Sequence, residues 1–276
     1  MGYATLMVHV SLSSSNDAVL RVAATLAEQF KAHVIGVAAC RPIQISYGDG
    51  YASGDLLAAQ QTEIENDMKA AEASFRTALE GKASGLEWRS AVSFEPLAGF
   101  ATAQARAADL VVTGPSRGGS PFNASASVDI GDLVMSVGRP VLVVPPNIEA
   151  LELNHAMLGW KESRETRRVA TDALPLLKKA ARVTVVEIVP EDGLASAQDR
   201  LQDVAGWFKR HGIAAEPLAV VAGRDDAAQL DAIAQENQVD LLVAGAYGHN
   251  RLREWMLGGV TYDLLLQPSV CSLLSH

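Results

Sequence analysis

The sequence is poor in several residue types, and each shortage excludes a class of protein. Aromatic residues make up only 5% of the 276 residues, so the cores must be built from Ala, Val, Leu and Ile. Acidic residues outnumber basic ones by 32 to 23, and the net charge of −9 argues against nucleic acid, whose phosphates need a basic face. A small anion is not excluded, because a helix N-terminus binds phosphate with backbone N–H groups alone. No apolar run approaches the ~18 residues of a membrane span, so we expect no membrane partner.

Cysteine is equally scarce, which bears on the compartment. Cys40 and Cys271 are the only two, and they lie far apart in sequence. One disulfide would be feasible, but buried reduced thiols fit better and indicate a cytoplasm-like environment. The first twelve residues, MGYATLMVHVSL, lack the basic start and the long apolar run of a signal peptide. We therefore expect a cytoplasmic protein.

The chain does contain an internal repeat. ADLVVTGPSRG at 108–118 matches VDLLVAGAYGH at 239–249, and GDLVMSVGRPVLVVP at 131–145 matches YDLLLQPSVCSLLSH at 262–276. Both matches have the same offset of 131 residues. The length allows two domains of about 140 residues. We predict one domain at 1–146, a linker at 147–154 and a similar domain at 155–276.

Each half reads as alternating strands and helices. The predicted strands cover 5–10, 33–39, 87–92, 110–114 and 140–144 in the first half, and 155–160, 182–189, 215–221, 240–245 and 271–274 in the second. The intervening helical segments imply right-handed crossovers and a mainly parallel sheet. Because the strands are rich in Val, Ile and Leu without alternation, we expect both faces of the sheet to be covered. Residues 13–16 supply N-cap candidates for the first helix.

A glycine-rich stretch, GAYGHNRLREWMLGGVT, occupies residues 245–261 directly after a predicted strand. In an open parallel sheet, ligands bind beyond the carboxyl ends of the strands. Glycine lets a phosphate approach main-chain N–H groups with no Cβ in the way. Gly258 and Gly259 open the last predicted helix, whose N-terminus favours an anion, with the Thr261 hydroxyl as an added donor. A tight connection would explain an isolated Gly-x2-Gly better, but the full spacing favours an anion or nucleotide site.

The spacing Gly-x2-Gly-x9-Gly with Val-Thr after it resembles the nucleotide-binding signature of the universal stress protein family. The resemblance covers essentially the whole chain as a tandem pair of family domains. It implies two similar open five-stranded parallel α/β sheets (Rossmann-like, adenine-nucleotide α-hydrolase-like) that pair across their last strands, here within one chain. The family divides into members that bind ATP and members that do not, so the resemblance makes ATP the candidate ligand, with Mg²⁺ as a candidate companion. The residues that would line the triphosphate and start the helix beneath it are Gly245, Gly248, Gly258, Gly259, Val260 and Thr261.

Two positions in the second half depart from the family pattern. Gly259 stands where Ser or Thr is usual, which removes a hydroxyl but leaves an N–H. Lys161 stands where the first strand of family binders usually ends in an Asp that helps hold the adenosine end. Lysine can reach a phosphate but cannot accept the hydrogen bond that Asp accepts. We expect Lys161 to be part of the site all the same.

The first half departs further. Arg117 replaces the second glycine, and Pro115 has no N–H to donate. Ser127 and Val128 fall where Gly258 and Gly259 stand, and Ser11 falls at the first-strand position of the family Asp. We expect this half to have lost nucleotide binding, or to bind something else.

Other polar candidates have simpler explanations. His249 could touch a phosphate, although loop histidines are more often exposed polar residues. His9, His33 and His155 lie on or beside predicted strands and are expected to be structural, and no pair of histidines has metal-ligand spacing. Asp225 and Asp226 are better explained as helix N-caps than as an acid–base pair.

These observations favour a stress-response binding and regulatory protein with one adenine-nucleotide site in the second half. We expect at most slow hydrolysis, because the loop offers no evident base, Walker lysine or Mg²⁺-binding carboxylate. The alternative is a nucleotide-free stress-protective scaffold or interaction protein in which Lys161 and Gly259 mark a decayed site. A nucleotide-using enzyme would need a catalytic carboxylate that the sequence does not reveal. The expected partners are the nucleotide and the other half of the chain, with a homodimer left open.

Overall fold

A computed structural model of the chain describes residues 2–42, 54–115, 128–223, 226–246 and 268–276, without the side chains of 54–57, 60, 226 and 227. The strands are β1 (Thr5–His9), β2 (His33–Cys40), β3 (Gly85–Val92), β4 (Leu110–Thr113), β5 (Val141–Val143), β6 (His155–Gly159), β7 (Arg182–Val189), β8 (Ala215–Val221), β9 (Leu241–Gly245) and β10 (Cys271–Ser275). The helices are α1 (Asp17–Phe30), α2 (Gly54–Leu79), α3 (Leu97–Gln104), α4 (Ile130–Ser136), α5 (Arg164–Asp172), α6 (Leu174–Leu177), α7 (Leu194–Arg210) and α8 (Asp226–Glu236). Short 3₁₀ turns follow α3 (Ala105–Ala107) and precede α7 (Glu191–Gly193).

The strands form one sheet in the order β3-β2-β1-β4-β5-β10-β9-β6-β7-β8. Within each half all paired strands are parallel, and the halves join where β5 and β10 pair antiparallel, with Leu142 opposite Leu273. The α/β architecture expected from the sequence is therefore confirmed. The two five-stranded units are continuous across their last strands within the one chain.

The aspartates that mark the internal repeat have a structural role. Asp109 accepts hydrogen bonds at Oδ2 from the backbone N–H groups of Ala4 (2.8 Å) and Thr5 (3.0 Å). Asp240 accepts one from the N–H of His155 at 2.8 Å. Each aspartate thus holds the start of the first strand of its half against the start of the fourth. We call these hydrogen bonds the aspartate clamp. They explain why an Asp precedes the apolar run in both halves, without any role in ligand binding.

Apolar side chains cover both faces of the sheet. Along β1, Leu6 and Val8 point into the core beneath α1, α2, α5 and α7, whereas Met7 points into the core beneath α3, α4 and α8. This alternation explains why the strand sequences are continuously apolar. Cys40 and Cys271 are both buried free thiols, as expected.

The first helix begins after one of the predicted N-cap candidates, but the predicted side-chain cap is wrong. Asn16 immediately precedes α1, but its side chain makes no capping hydrogen bond to the helix. Its Oδ1 instead accepts from the Ser11 N–H, and its Nδ2 donates to the Ser11 carbonyl, both at 2.8 Å. The competing local bonds therefore fold the β1–α1 loop onto itself. Among the helices that the structure describes, none is both long and apolar enough to cross a membrane.

Candidate functional site

The carboxyl ends of β6 and β9 form the floor of the candidate site in the second half. Gly159 and Ala244 are register partners there. A Cβ added to Gly159 would come within 3.4 Å of the Leu230 side chain in α8, which is an ordinary van der Waals contact. Two of the smallest residues therefore meet at the sheet edge next to the glycine-rich stretch.

The same place in the first half is occupied by larger polar side chains. His9 ends β1 and Thr113 ends β4, and His9 Nδ1 lies 2.9 Å from Thr113 Oγ1. Both residues are buried, and burial lowers the pKa of His9 to about 4. The imidazole is therefore neutral at pH 7, and the pair closes the first-half edge with a hydrogen bond that joins the two strands.

Gly245, the first residue of the glycine-rich stretch, has a packing role that the sequence did not reveal. A Cβ built on it would lie 2.7 Å from Thr166 N and 2.8 Å from Glu165 C, in the first turn of α5. Contacts that short with backbone atoms require the helix to move. Gly114, its counterpart in the first half, would bring a Cβ no closer than 3.5 Å to Val19. The glycine is thus needed at 245 for close packing of α5 on β9, whether or not a ligand binds.

The β6–α5 loop places Lys161 at the same edge. Lys161 is exposed, two residues beyond the end of β6. The loop is held on both sides of it, because Trp160 N–H donates to the Val186 carbonyl at 2.7 Å and the Trp160 indole donates to Glu162 at 3.0 Å. Ser163 then caps α5 by accepting from the Thr166 N–H. The structure therefore brings Lys161 and Gly245 to one edge of the sheet.

Glu165 is a buried carboxylate next to Gly245 that the sequence analysis missed. Burial opposes its ionisation, but hydrogen bonds from Arg164, from its own backbone N–H and from Ser163 outweigh burial and hold the pKa of the Glu165 carboxyl below its usual range. These partners belong to the first turn of α5, where a negative charge is favoured. Glu165 is therefore explained as a helix-stabilising anion, and an acid two residues after a serine N-cap was the available signal.

Most of the predicted phosphate-binding residues lie outside the described part of the chain. They are Gly248, Gly258, Gly259, Val260 and Thr261, together with the candidate His249. Arg117 and Ser127 of the first-half counterpart also lie outside it, as does Asp225. Among the described residues, no group of three or more His, Cys, Asp and Glu side chains could hold a metal ion.

The first turn of α4 in the first half contains two carboxylates. Asp129 caps this helix, because its side chain accepts from the Asp132 N–H at 2.9 Å. Burial and the neighbouring Asp129 charge both raise the pKa of the Asp132 carboxyl. In the repeat, the residue that corresponds to Asp129 is the uncharged Val260. The first half therefore has its own carboxylate at the helix N-terminus, where an incoming anion would be repelled.

Comparison with solved structures identifies this architecture. A universal stress protein from Archaeoglobus fulgidus DSM 4304 superimposes with a TM-score of 0.73, covering 98% of this chain and 95% of that chain at 13% identity. The chain has the universal stress protein fold. A candidate universal stress protein from Pseudomonas aeruginosa UCBPP-PA14 gives a TM-score of 0.64 at 12% identity, covering 99% of this chain and 93% of that chain. A functionally unknown protein from Pseudomonas aeruginosa PAO1 gives 0.60 at 12% identity, covering 99% and 92%. No protein-family model and no curated protein sequence matches the chain.

Proposed function

We propose that the chain is a tandem universal stress protein that acts as a binding and regulatory module, with one adenine-nucleotide site in its second half. The observation that carries the proposal is the contrast between equivalent strand ends. Gly159 and Ala244 leave the second-half edge with small side chains, whereas His9 and Thr113 close the first-half edge. The fold likeness to the Archaeoglobus fulgidus universal stress protein supports the assignment to this class.

The proposed site combines described and sequence-derived parts. Gly245 starts the loop at the carboxyl end of β9, and the exposed Lys161 ammonium lies at the same edge, where it could neutralise a phosphate. Backbone N–H groups of Gly248, Gly258 and Gly259 would donate to the phosphates, because no Cβ stands in the way. Val260 and Thr261 would begin the helix whose N-terminus favours the anion.

Binding rather than turnover is the expected activity. A bound nucleotide would bring Mg²⁺ with it, which neutralises phosphate charge. Among the described residues at this edge, Glu165 is already engaged by Arg164 and Ser163 and is buried. A general base must reach the proton that it abstracts, so we expect at most slow hydrolysis. The two free, buried thiols suit a cytoplasmic location.

A nucleotide-free scaffold is the second candidate function, and one observation favours it. Close packing of α5 explains Gly245 without any ligand. Lys161 also lacks the acceptor that the family Asp supplies at the adenosine end. In this case the second-half loop would be a relic, and stress protection would come through protein partners.

The two functions are separated by nucleotide release and calorimetry. The purified protein is denatured, any released nucleotide is identified, and ATP is titrated into the native protein with Mg²⁺ present. We expect binding that Gly248→Leu abolishes and that Arg117→Leu, at the equivalent position of the first half, leaves intact. If ATP gives no heat up to about 1 mM, equivalent to less than about 4 kcal/mol of binding free energy, the scaffold function is supported instead.

A further inference from the structure

The helix α5 of the second half contacts a different part of the molecule with each of its ends. Its first turn lies on the end of β9, where a Cβ on Gly245 would come within 2.7 Å of Thr166 N. Its last residue, Asp172, accepts a hydrogen bond at the backbone carbonyl from the Tyr3 hydroxyl of the first half, at 2.7 Å. The helix has nine residues and is therefore about 13 Å long. It thus joins the proposed nucleotide site to the first half.

Two further hydrogen bonds hold the last turn of α5. Arg168 donates to the Gly138 carbonyl of the first half at 2.8 Å. Ser275 Oγ, at the end of β10, donates to Asp172 Oδ2 at 2.9 Å. We call the contacts that Tyr3 and Gly138 make with α5 the seam. Asp172 accepts one hydrogen bond from each half, from the first at its carbonyl and from the second at its carboxylate.

The first-half side of the seam is buried. Tyr3 is 4% exposed, and its ring lies edge-on to that of Phe30, at the end of α1, with the ring centroids 5.2 Å apart. The Lys179 ammonium of the second half lies over the same Phe30 ring, 5.1 Å from its centroid. A buried hydroxyl that loses its acceptor is costly. A shift of Asp172 therefore has to be followed by Tyr3 or to break this hydrogen bond.

The other end of α5 is held equally closely. The contact at Gly245 leaves no space for the helix and β9 to move independently. Ser275 is the register partner of Gly245, and its carbonyl accepts from the Ala246 N–H at 2.8 Å. The end of β9 is thus connected to Asp172 both through α5 and through Ser275. Close-packed interiors have low compressibility and transmit strain, so we expect a displacement at one end to reach the other.

The first half lacks the equivalent close contact. A Cβ on Gly114 would lie 3.5 Å from the Val19 side chain of α1, which is an ordinary van der Waals distance. The end of β4 can therefore shift without moving α1, unlike the end of β9 with α5.

We propose that α5 couples the carboxyl end of β9 to the first half, so that a displacement of Gly245 alters the contacts of Tyr3 and Gly138. The coupling follows from the packing of the helix and requires no nucleotide. Its regulatory use rests on the proposed function, because a ligand that repositions the start of the glycine-rich stretch would then change the first half. Coupling of this kind is reciprocal, so a partner that binds at the seam would change the affinity of the second-half site.

Amide hydrogen exchange of the full chain, resolved by residue with NMR, tests the coupling without any ligand. Gly245→Ala should displace α5 and raise exchange at Ala4 and Thr5, the two amides that directly follow Tyr3. We expect an increase of about fivefold relative to the amides of β2, the effect of losing one hydrogen bond on a local opening equilibrium. Gly114→Ala, the matched change in the first half, should leave this ratio unchanged.

The reverse experiment starts from the seam and does not depend on how well Gly245→Ala folds. Tyr3→Phe combined with Arg168→Gln removes both seam hydrogen bonds while it keeps the size of the side chains. This variant should raise exchange of the Ala246 N–H, at the far end of α5, by about fivefold relative to the amides of β7. Arg21→Gln is the control, because Arg21 donates to a linker carbonyl from α1 at 3.0 Å. It should leave Ala246 unchanged.

Two results would overturn the proposal. Equal increases at Ala4, Thr5 and the β2 amides in Gly245→Ala would show a general loss of stability instead of coupling. Unchanged exchange at Ala246 in the Tyr3→Phe, Arg168→Gln variant would show that the two ends of α5 move independently.

Exchange measured with ATP separates this proposal from the proposed function. A chain that binds no ATP but shows both variant effects supports the coupling and contradicts the nucleotide site. A chain that binds ATP with unchanged exchange at Ala4 and Thr5 contradicts the regulatory use of the coupling.

Discussion

The two halves of this protein share one arrangement of strands but have different side chains at the carboxyl edges of their sheets. In both, an aspartate clamps the start of the first strand, Asp109 in one half and Asp240 in the other. At the opposite ends of the same strands the side chains differ, with the His9–Thr113 pair in the first half and Gly159 beside Ala244 in the second. The aspartate contacts are therefore common to both halves, whereas the side chains at the carboxyl ends of the strands differ between them.

Gly114 and Gly245, at the ends of the fourth strands of the two halves, also differ in their contacts. Gly245 is required because α5 approaches β9 to within contact of its backbone, whereas Gly114 has room for a side chain. A glycine that looks like part of a binding signature can therefore be fixed by packing. A substitution at Gly245 therefore cannot separate binding from folding, whereas a change further along the loop can.

Acidification should affect the first-half pair most strongly. His9 has a folded-state pKa of about 4, against 6.5 when exposed. As the pH falls, the unfolded chain therefore takes up this proton before the folded chain does. The contribution of neutral His9 to the free energy of unfolding is complete above pH 6.5 and is lost as the pH falls through 4. The loss amounts to about 3 kcal/mol. Urea denaturation of wild-type and His9→Gln chains between pH 4 and pH 7 measures it as the difference between the two curves. Parallel curves would show that His9 is not buried as a neutral group.

The contrast between the two glycines predicts the next largest effect. Gly245→Ala should reduce the free energy of unfolding by about 2 kcal/mol, because overpacking forces α5 to shift. Gly114→Ala should change it by less than about 0.5 kcal/mol, as for other tolerated substitutions. Urea denaturation of the two variants measures both effects. Similar losses for both would contradict the closer approach of α5 in the second half.

Removal of the clamp should weaken both halves, the first more than the second. Asp109→Ala leaves two backbone N–H groups without their acceptor, and Asp240→Ala leaves one. We expect losses of about 2 and about 1 kcal/mol, at about 1 kcal/mol per hydrogen bond. Thermal denaturation of both variants against wild type measures the losses. A larger loss for Asp240→Ala would mean that the clamp is not equivalent in the two halves.

Exchange of the strand-end pairs between the two halves tests whether these side chains decide which half binds ATP. The double variant Gly159→His with Ala244→Thr should bind ATP at least about tenfold more weakly, a change of about 1.4 kcal/mol, because the edge is closed. The reciprocal variant, His9→Gly with Thr113→Ala, should leave ATP affinity unchanged, since Pro115 and Asp129 still oppose an anion. Calorimetry of both variants, with circular dichroism to confirm folding, gives the answer. Weaker ATP binding by the reciprocal variant would show that the nucleotide site lies in the first half, contrary to the proposal.

The element pattern was predictable from sequence because each strand is a short apolar run set off by polar or glycine-containing segments. The ten strands lie where these runs predict, with ends that shift by a residue or two. The pairing of β5 with β10 could not be predicted from residue patterns alone, because strand partners far apart in sequence leave no local signal. Its prediction rested on the family resemblance.

The site was predictable only in outline. Gly245 ends β9 and Lys161 lies two residues beyond β6, but their part in a nucleotide site stays a prediction. The packing reason for Gly245 depends on α5, about eighty residues earlier in the chain. The His9–Thr113 bond joins residues 104 apart. Asn16 was expected to cap α1, yet its amide bonds to Ser11, because the two groups compete for the same short loop. Such contacts emerge only from the folded arrangement.

We propose that one half of the chain binds an adenine nucleotide and that the other does not. The most direct measurement is the stoichiometry of ATP bound to the wild-type protein at saturation, determined by calorimetry and checked by equilibrium dialysis. We expect one ATP per chain. Two ATP per chain would show that the His9–Thr113 pair and Asp129 do not exclude the nucleotide. A chain that binds no ATP at all would contradict the proposed site itself.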